Sequence, residues 1–137
     1  MKIYYVCNSC SNEKYKELFQ NPGEMILQQA QKYHSLLIKG LNSNGIQITC
    51  FSGLPINRRL TKKFVIKKQC EIIDGVSYIY SSSINYPFLR KMSLLISSFF
   101  NTLNYARKST IIICDVLNVS ITCGALLASR MRKSKTI

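Results

Sequence analysis

The sequence of 137 residues contains no tryptophan, one histidine, three prolines and only six acidic residues. No apolar run approaches the roughly 20 residues that a membrane-spanning helix needs. The apolar stretch behind Lys2 is too short for a secretion signal, and no small-residue cleavage site follows it. These absences predict a cytoplasmic protein whose six cysteines stay reduced.

The glycines form neither a GxGxxG pattern nor a Walker A pattern, which disfavours a dinucleotide site and a P-loop ATPase. A zinc site is also disfavoured, because there is no second CxxC pair and no second histidine. We therefore expect neither a cofactor nor a bound metal.

The chain does have a large excess of positive charge, with 19 Lys and Arg and a formal net charge of +13. Hydrophobic residues make up 47%, which is too many for a disordered basic tail. Residues 58–137 hold fourteen basic and three acidic residues, whereas residues 1–57 hold five and three. The second half is therefore expected to meet an anionic partner.

The most basic segment is residues 57–69, which has no clear period and is predicted to be a loop. It contains a single aromatic residue, Phe64, and lacks the interleaving of basic and aromatic residues that single-stranded nucleic-acid sites use. Contact with the anionic inner face of a membrane fits it better than specific binding of nucleic acid. The expected contact residues are Arg58, Arg59, Lys62, Lys63, Lys67 and Lys68.

The first half has the pattern of a βαβ unit. Residues 2–8 and 46–51 are predicted strands, and residues 9–23 are predicted to be a long loop, with room for one helical turn around residues 15–19. Residues 24–44 are a predicted helix. Its expected inward face consists of Ile26, Ala30, Tyr33, Leu37 and Leu41. Such a unit implies parallel strands and a right-handed crossover.

In the second half, Asp74-Gly75 between residues 70–73 and 76–81 predicts a β-ribbon with a type I′ turn. A helix follows Tyr86-Pro87, then a strand at residues 110–114 and a helix at residues 119–132 capped by Asn118 or Ser120. The expected inward face of the first of these helices is Phe88, Met92, Leu95, Phe99, Leu103 and Ala106. The whole order predicts a three-layer α/β fold with a Rossmann-like parallel sheet and a β-ribbon insertion.

Two features favour ordinary structural roles over chemistry. Cys7 and Cys10 form a CxxC pair after a strand, but the segment that follows is only weakly helical, so two unreactive cysteines are favoured over a redox site. His34 has no acidic residue at a neighbouring helical position, which favours a packed or surface histidine over a catalytic base.

Two other features keep both alternatives open. Pro22-Gly23-Glu24 precedes the long helix and is either an ordinary helix entry or a place where a phosphate approaches free backbone N–H groups. Asp115 ends a strand where open α/β sheets bind ligands, and Asn118 follows it. Asp115 is expected to bind a sugar hydroxyl or to act as a base, or else to cap the following turn.

In their order and spacing, these segments resemble the amino-terminal domain of a family 4 (group 1) glycosyltransferase, a retaining class with two Rossmann-like domains (the GT-B fold). The stretches that carry the resemblance are KIYYVCN, Pro22-Gly23, QQAQKYHSLLIKGLNSNGIQITCFSG, GVSYIYSSSINYP and TIIICDVLNVSITCGALLA. The resemblance covers most of residues 1–132, although no single stretch is diagnostic.

The resemblance implies a cytoplasmic, often membrane-associated enzyme that moves a sugar from a nucleotide-sugar donor to a glycan, lipid or protein acceptor without a catalytic metal. It places Gly23 and Glu24 in the donor-phosphate loop, and Asp115 and Asn118 on the acceptor side. The donor domain with its paired glutamates and the later acceptor-domain strands are missing, so residues 1–137 are expected to be part of such a domain, inactive alone. The strand at residues 110–114 would then have an unpaired edge.

The main alternative is a small basic α/β binding module for nucleic acid or an acidic partner, which would bind through residues 57–68 and 130–135. A thiol oxidoreductase that uses Cys7 is a third candidate.

Overall fold

A computed structural model describes residues 2–19, 28–56, 58 and 60–137. In this part of the chain the helices are α1 (Asn12–Leu18), α2 (Gln28–Ser43), α3 (Pro87–Tyr105) and α4 (Val119–Arg132). The strands are β1 (Lys2–Cys7), β2 (Gln47–Ser52), β3 (Val65–Ile66), β4 (Gln69–Ile73), β5 (Val76–Tyr80), β6 (Ser83–Ile84), β7 (Thr110–Cys114) and β8 (Lys135–Thr136).

The protein is an α/β fold built on one mostly parallel sheet with the strand order β4-β5-β2-β1-β7-β8. Strand β1 pairs in parallel with both β2 and β7, and β2 pairs in parallel with β5. This order is compatible with a Rossmann-like fold and confirms the predicted class at that level. Strands β3 and β6 form a separate antiparallel pair.

The predicted ribbon is present, but it is not an insertion. Strands β4 and β5 are antiparallel, and Asp74 and Gly75 between them both have positive φ, at 50° and 79°, as a type I′ turn requires. Strand β5 also pairs with β2, so the ribbon forms one side of the main sheet. Short-range turn chemistry predicts the hairpin, whereas the pairing with β2 depends on a contact distant in sequence.

Helices cover both faces of the sheet, as the three-layer expectation required. Alternate residues of β1 point to opposite faces: Tyr5 joins a core cluster with Ile38 of α2, and Tyr4 joins another with Leu94 of α3. Helices α1 and α2 therefore lie on one face, and α3 and α4 on the other.

The predicted inward face of α2 is partly wrong. Leu37 and Leu41 do pack against the core, and Ile26 lies outside the described residues. The buried residues of α2 are Gln31, His34 and Ile38, whereas Tyr33 is 63% exposed. The spacing of apolar residues does not predict this orientation, because two of the three buried side chains, Gln31 and His34, are polar. Each of these two forms hydrogen bonds or an ion pair with residues far away in the sequence.

The predicted inward face of α3 is also partly wrong. Leu94, Ser98 and Thr102 are buried, whereas Phe88 and Met92 of the predicted face are exposed. The helix turns its small polar residues towards α4, where Ser98 Oγ donates to the carbonyl of Ile121 at 2.7 Å.

Two further expectations need correction. The predicted loop of residues 9–23 contains α1, whose amino end is capped by Ser11 accepting from the Lys14 N–H at 3.0 Å. Strand β7 is not an unpaired edge, because β8 pairs with it in parallel. In the described part of the chain, no helix combines the length and apolarity needed to cross a bilayer.

Candidate functional site

A cleft opens at the carboxyl edge of the parallel sheet. Helix α2 connects β1 to β2 on one face of the sheet, and α3 and α4 flank β7 on the other face. The helical connections on the two sides of β1 therefore run over opposite faces of the sheet. Ligands of open α/β sheets bind at such a switch point. The cleft has a volume of about 600 Å³ and is lined by Asn8, Pro55, Ile56, Pro87, Arg90, Lys91, Leu94, Leu117, Asn118, Val119 and Ser120.

The electrostatic character of this cleft is positive. Helix α3 begins at Pro87 and α4 at Val119, so both present the positive ends of their dipoles to the cleft. Arg90 and Lys91 add two cations. Burial lowers the pKa of Arg90, but its guanidinium stays charged and donates to the carbonyl of Leu54 at 2.6 Å.

Asn118 lines the cleft and caps α4, as predicted. Its Oδ1 accepts from the backbone N–H of Ile121 at 3.5 Å. Asn118 therefore already has a structural role, and a sugar acceptor in the cleft would contact a side chain that also caps α4.

Asp115 lies immediately after β7, where the sequence placed it. Its N–H donates to the carbonyl of Val6 at 2.8 Å, which ties it to the end of β1. Its Oδ1 accepts from the N–H of Leu117 at 3.1 Å, so the predicted turn cap exists. Its Oδ2 lies 3.3 Å from Nε2 of His34, a contact that the sequence did not predict.

His34 is packed, as the sequence favoured, at 2% exposure, and both of its ring nitrogens have partners. Nδ1 lies 2.5 Å from the hydroxyl of Tyr5, whose pKa is raised by burial, so that hydroxyl is the donor. Nε2–H then donates to Asp115, which assigns the neutral tautomer. Burial lowers the pKa of His34, and the Asp115 carboxylate opposes this shift.

Gln31 holds the segment that follows β1. Its Oε1 accepts from Ser9 Oγ at 2.8 Å and from the Cys10 N–H at 3.1 Å. Its Nε2 donates to the carbonyl of Cys10 at 2.6 Å. Gln31 therefore fixes the chain just beyond Asn8, which lines the cleft.

The CxxC pair has the environment of buried structural cysteines. Cys7 Sγ lies 3.5 Å from Cys50 Sγ, and all six cysteines, each within the described residues, are free. Burial raises the pKa of Cys10 to about 12, which is the opposite of what a reactive thiol needs. This geometry gives the oxidoreductase alternative no support.

None of the described residues of the basic segment lines the cleft, and most of the segment is solvated. Lys62, Lys63 and Lys67 are exposed, as is Phe64. Lys68 donates to Asn101 Oδ1 at 2.7 Å, and the Arg58 guanidinium lies 5.3 Å from the ring centre of Tyr86. Arg59 lies outside the described residues.

Gly23 and Glu24, the expected donor-phosphate residues, also lie outside the described residues. Where the chain is described, no group of three or more His, Cys, Asp or Glu side chains is placed to hold a metal ion. Sequence reasoning missed the contributions of Arg90 and Lys91 to the cleft and the pairing of His34 with Asp115. The sequence held one signal for the pairing of His34 with Asp115, namely the position of Asp115 at the end of a strand, because a buried carboxylate needs a partner.

Comparison with protein-family models, curated proteins and solved structures finds no match to this chain.

Proposed function

We propose that this chain provides the acceptor side of a glycosyltransferase, as half of a GT-B arrangement, and binds sugar and phosphate groups in the cleft at the carboxyl edge of its sheet. The observation that carries the proposal is the cleft itself: about 600 Å³, positive, and largely apolar with two amide side chains and one hydroxyl among its lining. Its volume lies within the range of small-molecule sites.

The lining suits a sugar that carries a phosphate. Asn8 and Ser120 offer donors and acceptors for sugar hydroxyls. Lys91, which is exposed at the cleft, and the amino ends of α3 and α4 favour a phosphate. Asp115 would contact an acceptor hydroxyl only through the part of its carboxylate that His34 and Leu117 leave free.

In this proposal Gly23 and Glu24 stay assigned to the donor phosphates, and transfer requires a donor-binding domain in addition to these residues. The direct test is therefore binding rather than turnover. Calorimetric titration of the full chain with glucose 1-phosphate and with glucose, which differ only in the phosphate, separates the phosphate contribution from the sugar contribution.

We expect glucose 1-phosphate to bind more tightly than glucose, and Lys91→Ala to weaken only the glucose 1-phosphate complex, by about fivefold. Lys39→Ala, an exposed lysine of α2 on the other face of the sheet, is the matched control and should leave both affinities unchanged. No binding of either compound, or equal losses in the two variants, would contradict the proposal.

A second candidate is a binding module for nucleic acid or an acidic partner, favoured by the exposed Lys62, Lys63 and Lys67 around the exposed Phe64. Binding of single-stranded oligonucleotides that weakens steeply with salt, and that Phe64→Ala reduces, would support this candidate. Phe64→Ala should leave the binding of glucose 1-phosphate unchanged, because Phe64 does not line the cleft.

A further inference from the structure

The outer surface of the α3–α4 layer is strongly apolar. Its large exposed side chains, which we call the outer α3–α4 face, are Leu89, Met92, Ile96, Phe100, Leu127 and Met131. Phe100 is 58% exposed and Met131 is 67% exposed. Met92, Ile96 and Phe100 follow one another at intervals of four, so they form a stripe along α3.

The two helices present one continuous surface. They pack closely, since a Cβ added at Gly124 of α4 would lie 2.3 Å from the carbonyl of Leu95 in α3. Both connect parallel strands, so they run in the same direction and end at the same edge of the sheet. Arg132 Nε donates to the carbonyl of Leu103 there at 3.0 Å. Contiguous apolar surface of this kind marks an interaction site.

A cluster of exposed cations lies where both helices end, at the edge of the sheet opposite the cleft. We call it the basic end; it consists of Arg107, Lys108, Arg130, Arg132 and Lys133. Residues 87–137 contain one acidic residue, Asp115, which is paired with His34 at the other edge. The apolar face therefore has cations at its border and no carboxylate to oppose an anionic partner.

We infer that the outer α3–α4 face lies in the interface of an anionic lipid bilayer, with the basic end on the lipid phosphates. An apolar helical face flanked by Lys and Arg binds membranes in this way. Lipid chains suit the outer α3–α4 face, because none of its six side chains carries a hydrogen-bond donor that would need an acceptor from a protein partner. A second copy is a poor occupant, since each chain has a net charge of +13.

This inference goes beyond the proposed function and uses a different surface from the cleft. It therefore stands or falls independently of sugar binding, which the calorimetric titration tests without lipid. The basic segment borders the outer α3–α4 face, since Val65 lines one groove with Ile96 and Phe100.

Co-sedimentation with phosphatidylcholine vesicles, with and without phosphatidylglycerol, tests the inference. The full chain should bind only the anionic vesicles, and the double variant Ile96→Ser/Phe100→Ser should lower the partition coefficient at least about tenfold. The matched control Tyr33→Ser/Leu36→Ser removes side chains that are 63% and 60% exposed on α2 and should bind like the unaltered chain. Equal binding by the two double variants would overturn the inference.

The absence of tryptophan allows a second test that does not depend on the stability of the serine variants. Phe100→Trp should show a blue-shifted fluorescence maximum on addition of anionic vesicles, whereas Tyr33→Trp, at an exposed position of α2 on the other face of the sheet, should not. A shift for Phe64→Trp in the basic segment without one for Phe100→Trp would assign membrane contact to the basic segment and overturn the inference. A dimer that Ile96→Ser/Phe100→Ser dissociates would overturn it too, because a second copy would then occupy the face.

Discussion

At the scale of single residues, the architecture around the cleft depends on two buried polar side chains of α2. Gln31 binds the backbone of Cys10, and His34 joins Tyr5 of β1 to Asp115 after β7. Each link connects α2 to the end of a central strand. Leaving such groups buried without partners is costly, so these contacts fix how the helix sits on the sheet.

His34 is expected to make stability depend on pH. Its pKa in the folded protein lies below the ordinary value of 6.5 because of burial, so the unfolded chain binds a proton more readily. The free energy of unfolding should therefore fall as the pH drops through 6.5, by up to about 1.4 kcal/mol per pH unit. His34→Gln should remove this contribution.

Chemical unfolding of both proteins from about pH 7 to about pH 5 measures the difference between them. His34 is the single histidine, so its imidazole NMR signals report its titration directly. Asp115→Asn should lower the midpoint further, because it removes the carboxylate that favours the protonated ring. A midpoint above 6.5 in the unaltered chain would contradict the assignment.

Gln31→Ala should lower the free energy of unfolding by about 1–3 kcal/mol, because it leaves the N–H and carbonyl of Cys10 buried without their partner. Urea unfolding measures this loss. Gln29→Ala, an exposed glutamine of the same helix, should change stability by less than about 0.5 kcal/mol. Similar losses in the two variants would mean that Gln31 does not hold the segment after β1.

At the scale of elements, α3 and α4 contact each other through their small residues. An added Cβ at Gly124 would lie 2.3 Å from the Leu95 carbonyl and 3.0 Å from the Phe99 nitrogen. Because these are backbone atoms, the helices would have to move apart. The packing of this layer therefore requires glycine at this position.

Gly124→Ala should destabilise the protein by about 1–3 kcal/mol despite the higher helix propensity of alanine. Gly40→Ala is the matched control, since Gly40 lies in α2 and nothing lies within 4 Å of an added Cβ. That substitution should stabilise by about 0.5–1 kcal/mol. Thermal unfolding of the two variants gives the comparison, and a stabilised Gly124→Ala protein would contradict the close approach.

The elements also show how far the sequence could predict the fold. The patterns at β1, β2, β7 and α4 and the Asp74-Gly75 turn are local, and the predictions from them are confirmed. The orientation of α2 is not local, because Gln31 and His34 are buried by partners on other elements. For the same reason, of the two predicted strand-end residues only Asn118 lines the cleft, and the cations of the cleft were missed.

At the scale of the whole molecule, the fold divides the six cysteines by accessibility. Cys70 is exposed, Cys114 and Cys123 are half-buried, and Cys7, Cys10 and Cys50 are buried. The buried group lies between the sheet and the layer of α1 and α2. Access to these three thiols therefore requires the layer to open.

Alkylation with iodoacetamide under native conditions should modify Cys70 first and leave Cys7, Cys10 and Cys50 unmodified until urea unfolds the chain. Burial also raises the pKa of Cys10 to about 12, which suppresses its thiolate. Peptide mass spectrometry identifies the modified residues. Fast native modification of Cys7 or Cys10 would contradict this arrangement and return the oxidoreductase alternative to consideration.

The central claim is that the cleft at the carboxyl edge of the sheet takes a sugar that carries a phosphate. The most direct measurement is an amide ¹H–¹⁵N NMR titration of the full chain with glucose 1-phosphate. We expect shifts concentrated at Asn8, Lys91 and residues 117–120, where α3, α4 and β1 meet the cleft. Shifts confined to residues 60–68, or no shifts at all, would contradict it.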